Sequence, residues 1–125
     1  MKDHETPKPI NQVQQLHLEL IRLTSLNLGD GNAVVDDLLR HRGLWQAVLT
    51  DRANLIKLRD MPDGYWNVDT LYIMSSGVDD DALLALAHTW HADTISWIRT
   101  DRPYHHSMGG SPARVLYVWY PRPNY

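Results

Sequence analysis

The chain has 125 residues, 43% of them hydrophobic and 22% charged, with a formal net charge of −3. That length suits one domain, whose folding removes roughly two-thirds of the extended chain's surface, enough for a core without staples. The acidic balance gives no basic field to attract nucleic acid or an anionic membrane, and the absence of cysteine excludes disulfides, thiolate metal sites and cysteine nucleophiles.

Residues 1–9 are polar, hold Pro7 and Pro9, and lack the apolar core of a signal peptide. They read as a flexible tail before a single α/β domain over 10–125. No apolar run approaches the roughly 20 residues of a membrane span, so a soluble, cytoplasmic protein is expected. Ile10, Val13, Leu16, Leu20 and Leu23 recur at steps of three and four. With Leu26 extending the stripe they predict a helix over 10–26, which Gly29 ends in a left-handed cap. Asp30-Gly31-Asn32 is a loop with an N-cap. Val34 or Val35, Leu38, Leu39, Trp45, Val48 and Leu49 then continue at helical spacing and predict helix over 33–51. Gly43 divides it: Asp36 and Asp37 come early and Arg40, His41 and Arg42 late, as a helix dipole favours in a first half that ends there.

Residues 54–59 alternate as a short strand. Met61-Pro62-Asp63-Gly64 is a turn signal that joins it, as a hairpin, to a strand at 66–74. That strand ends in Ser75-Ser76-Gly77. A triple aspartate at 79–81 opens a helix reaching His91 that buries Leu83, Leu86, Ala87 and Trp90. Strands follow at 94–99 and 115–120. The last is apolar or aromatic throughout, which suits the middle of a sheet. Placed between 66–74 and 94–99 and antiparallel to both, it makes a split β-α-β. The expected fold is therefore α/β (α+β): two or three N-terminal helices, then β-β-α-β-β in a four-stranded mixed sheet of order 1-2-4-3, with a ferredoxin-like split β-α-β.

Five Trp and six Tyr occur with no Phe, so every aromatic ring carries a donor that needs a partner or water when buried. Most are expected in the core and one or two at an interface. The end, Trp119-Tyr120-Pro121-Arg122-Pro123-Asn124-Tyr125, is stopped as a strand by its prolines and reads as an extended tail suited to lie across a partner subunit. A homodimer or another protein partner is expected, a twofold pair being the commonest form.

Candidate chemistry gathers in two places. The 100–113 loop carries Asp101, Arg102, Tyr104, His105, His106 and Ser107, and long loops within compact domains are often functional. There Arg102 would hold an anionic group and His105 or His106 would act as acid or base, with Tyr104 and Ser107 beside the ligand. His88 and His91, three apart on one helix face, and Asp93 just beyond form an incomplete metal set. Joining them to His105 and His106 in one zinc site would have to bridge the roughly 17–20 Å length of the intervening strand. Other signals give way to simpler readings. Ser75-Ser76-Gly77 precedes a helix as anion sites do, yet three aspartates cap that helix and repel phosphate. No G-x-S-x-G is present, and Asp36-Asp37 reads as solvated surface. The functional expectation is a small binding or regulatory domain with no catalysis of its own and no cofactor. An anion-binding enzyme using the 100–113 loop and a His/Asp metal-binding protein stand as the alternatives.

Overall fold

The computed structural model describes residues 9–24, 30–51, 62–63, 68–98 and 114–120. They form α1 (Gln12–Leu23), α2 (Gly31–Arg40), β1 (Trp45–Asp51), β2 (Thr70–Ser75), α3 (Asp80–His88), β3 (Thr94–Ile98) and β4 (Val115–Trp119). Each helix is capped by a short polar side chain that takes up one of its unpaired amides. Asn11 accepts from Gln14 N–H (2.8 Å), Asp30 from Ala33 N–H (3.0 Å) and Asp79 from Ala82 N–H (3.0 Å). The first helix stops at Leu23 rather than near residue 26, because Thr24 is already extended (φ −64°, ψ 138°).

The largest departure from the sequence reading lies between 41 and 51. One interrupted helix was expected over 33–51. The chain instead leaves α2 after Arg40, makes a short 3-10 turn (Arg42–Leu44) around Gly43, and runs on as β1. The expected break is therefore present, but a strand follows it. Trp45 is the pivot: its ring is fully buried and its Nε1 donates to the Leu38 carbonyl at the end of α2 (2.7 Å). That bond takes up one of the orphan carbonyls of the helix terminus.

The fold is mixed α+β, with a four-stranded sheet in the order β1-β2-β4-β3. All three pairings are antiparallel, so the sheet is not the mixed one expected. The strands β2 and β3 run in the same direction, but β4 lies between them and they never pair. The first strand also differs from expectation, being Trp45–Asp51. Residues 54–59 lie outside the described part of the chain, as do Met61 and Gly64 of the 61–64 turn.

Paired residues share a face. Val48, Leu71, Ile73, Leu116 and Val118 point to one side and are buried there with Leu18, Ile21, Val34, Val35, Leu38, Leu83 and Ala87 from the three helices. Tyr72, Met74, Tyr117 and Trp119 occupy the other side and are half-buried, the two tyrosine rings 5.7 Å apart. The buried aromatics satisfy their polar atoms. Besides Trp45, the Trp90 Nε1 donates to Asp37 Oδ2 (2.9 Å) and the Tyr120 hydroxyl to the Trp90 carbonyl (2.8 Å). Asp37 is thus not the solvated carboxylate expected: it ties α2 to the segment after α3 and also accepts from Arg40 (2.9 Å).

Gly31 opens α2 at a point of close approach. A Cβ there would overlap the carbonyl oxygen of Ile21, so only glycine lets the start of α2 reach the end of α1. Arg22 bridges the same junction to Asp36 (2.9 Å) and Asn32 (3.0 Å).

Candidate functional site

The carboxyl end of β2 is closed on itself. Ser75 Oγ accepts from Gly77 N–H (3.2 Å), while Ser76 Oγ donates to the Gly43 carbonyl (2.6 Å) and accepts from Val78 N–H (3.3 Å). Asp79 caps α3, and Asp80 turns to Arg114 at the entrance to β4 (3.2 Å). That guanidinium lies 4.0 Å from the centroid of the Trp97 ring on β3. One ion pair and one cation–π contact therefore join α3, β3 and β4 at this corner. Its hydroxyls and its cation are engaged within the protein, and the helix start holds an aspartate in the place an anion would take.

The candidate loop residues Arg102, Tyr104, His105, His106 and Ser107 lie outside the described residues. His88 ends α3, His91 makes the left-handed turn toward β3 (φ 62°), and Asp93 accepts from Thr94 Oγ1 (3.1 Å). All three are exposed. Among the described residues no three His, Asp or Glu side chains are placed to hold a metal ion, so His88, His91 and Asp93 are not gathered into such a group. Among the same residues no helix is long and apolar enough to cross a membrane.

The first helix is where the structure departs from its own sequence pattern. The face of α1 that packs is made of Gln14, His17, Leu18 and Ile21. The last two are 5% and 0% exposed. Gln14 spans the outer edge of β1, its Nε2 donating to the Val48 carbonyl and its Oε1 accepting from Val48 N–H, both at 2.9 Å. Three residues on, His17 Nδ1 faces the Thr50 hydroxyl (3.0 Å) and Thr50 N–H (3.4 Å). An edge strand leaves alternate amides and carbonyls unpaired; Gln14 takes up both those of Val48, and His17 the N–H of Thr50.

Turning that face to the sheet turns the stripe outward. Val13, Leu16 and Leu23 are 66%, 56% and 62% exposed, with Leu20 half-buried between them. At 100° per residue the two faces of α1 are roughly 130° apart. The steps of three, four and three are the a/d spacing by which one helix seats against another. Of the other exposed large hydrophobics, Leu39 lies on α2 and Val78 in the turn before α3, while Leu49 lies opposite Tyr72 on the outer face of the sheet. The sequence named the stripe and missed the packed face, although Gln14, Leu18 and Ile21 also follow helical spacing.

No protein-family model matches the chain, and no curated protein or solved structure matches it either.

Proposed function

We propose that the chain is a small cytoplasmic binding or regulatory domain that acts by association, without catalysis of its own, and that the outward stripe of α1 is its contact surface. The observation carrying this reading is that Val13, Leu16 and Leu23 are each more than half exposed on a helix whose opposite face is already packed. A contiguous apolar patch of this kind marks an interaction surface far more often than scattered single residues do. Complete burial of a Leu or Val side chain is worth about 1.5–3 kcal/mol, so covering the stripe supplies a real driving force.

The same proposal takes the sheet as a ferredoxin-like split β-α-β. Support comes from element order. Moving the leading α2-β1 pair behind β4 turns α-β-β-α-β-β into β-α-β-β-α-β, the order of that fold.

The test is photo-crosslinking in cells that express the chain, with a benzophenone side chain replacing Leu16 or, as control, the exposed Ala85 of α3. The stripe reading expects an adduct from the first position and none from the second. No adduct at Leu16, or equal adducts at both positions, overturns it.

A further inference from the structure

Resting on that reading, we infer that the occupant of the stripe is a second copy of the chain, seated α1 against α1 in antiparallel orientation about a twofold axis between Leu16 and Leu20. The spacing is the first ground. The steps between Val13, Leu16, Leu20 and Leu23 read three, four, three in either direction. An antiparallel copy therefore sets Val13 against Leu23 of its partner and Leu16 against Leu20, filling every layer of the seam from one sequence. This is what an isologous contact demands, each residue meeting its counterpart reciprocally.

Charge is the second ground. A surface that meets its own copy juxtaposes like with like, so a charged face repels itself. The outer flank of the seam is Gln12 and Gln15, and the two formal charges on α1 are Glu19 and Arg22. Arg22 is held by Asp36 and Asn32 on the side of α2, leaving Glu19 beside the axis. Two copies thus oppose one carboxylate each across an otherwise neutral seam.

Size sets the strength. Two heptads alone make an unstable coiled coil, but here α1 is already ordered against β1 and α2, so its folding is not charged to the association. Two helix faces about 18 Å long and 10 Å across cover about 360 Å² in all, far short of the roughly 1,200 Å² of stable interfaces. The pair is accordingly weak, with a dissociation constant in the micromolar range or above.

Sedimentation velocity from about 1 μM to 1 mM brackets that range. The expected result is a concentration-dependent rise from the mass of one chain toward two, abolished by Leu16→Gln/Leu23→Gln with the circular dichroism melt unchanged. Glu19→Gln is expected to tighten the pair at least threefold by removing the opposed carboxylates. Because the chain has no cysteine, disulfide trapping reports orientation: Leu16→Cys alone and Leu20→Cys alone stay unlinked, while their mixture cross-links. A single species across the whole range overturns the second-copy inference. The stripe reading then stands or falls separately, by whether the Leu16 photo-adduct contains a different protein. A dimer indifferent to the Leu16/Leu23 change places the contact elsewhere and overturns the inference as well. Cross-linking of either variant alone, or a mixture that yields no link between the Leu16→Cys and Leu20→Cys chains, overturns the antiparallel seating.

Discussion

Gln14 and Val48, thirty-four residues apart, exchange two hydrogen bonds of 2.9 Å, the amide of one side chain offering the donor and acceptor that a neighbouring strand's peptide would offer. This exchange decides which way α1 faces. The edge of β1 requires polar partners, and the helix turns Gln14 and His17 toward it even though its longest apolar stripe lies elsewhere. Removing the amide leaves a part-buried N–H and C=O with reduced satisfaction. Gln14→Ala is therefore expected to lower unfolding free energy by about 1–3 kcal/mol. Urea denaturation measures it, and a loss under half a kilocalorie would mean that water replaces the side chain without penalty.

The two faces of α1 differ sharply in what their truncation removes. Ile21→Ala empties a fully buried position and is expected to cost about 2–5 kcal/mol. Leu16→Ala, on the exposed stripe, should fall within about 0.5 kcal/mol of the parent at concentrations where the chain is monomeric. Equal losses at both positions would place the stripe in the core, as the bare sequence suggests.

Gly31 makes a third prediction. Its Cα has the Ile21 carbonyl where a side chain would go, so Gly31→Ala must push α2 away from α1. The expected loss is about 2–4 kcal/mol despite alanine's better helix propensity, which favours the substitution by only about 1 kcal/mol. A stabilised variant in thermal melts would show that the junction yields freely.

Tyr120 links stability to alkaline pH. Burial pushes its phenol well above the ordinary value, because the phenolate is poorly solvated where the hydroxyl donates to the Trp90 carbonyl. The folded state therefore retains a proton that the unfolded state gives up near pH 10. The stabilisation is fully present below about pH 10 and is lost as pH rises beyond it. Tyr120→Phe is expected to cost roughly 1–2 kcal/mol at neutral pH. It should also flatten the fall in urea midpoint between pH 9 and 11; equal slopes for the two proteins would contradict the assignment.

The sequence made some elements plain and concealed others for identifiable reasons. Asp79 before Leu83 and Ala87 marks α3, which begins where expected but ends at His88 rather than His91, and the apolar run of β4 marks a central strand, where it lies. In contrast, β1 was read as helix. Trp45 and Val48 both turn inward although three residues apart, because the register shifts between Trp45 and Ala47. A bulge of this kind replaces the period of two with a step of three, which in a linear sequence is the mark of a helix. The stripe on α1 was visible as a pattern, but its direction was not. That depends on the unpaired backbone of β1, which exists only once β1 has paired with β2. The loop candidates lie outside the described residues, as does the C-terminal tail beyond Tyr120; its first two residues, Trp119 and Tyr120, belong instead to the end of β4 and to the core.

Sealing one border of the sheet has a consequence for how chains stack. Fibrils grow because each added strand presents a fresh unpaired edge to the next molecule. Here the lateral border at β1 is occupied by the protein's own helix, leaving β3, whose Thr-Ile-Ser-Trp-Ile carries no charge, as the opposite border. Two chains that met along β3 would each present only a sealed border to any third. Edge-to-edge growth through β1 would first have to displace Gln14 from Val48 and His17 from Thr50.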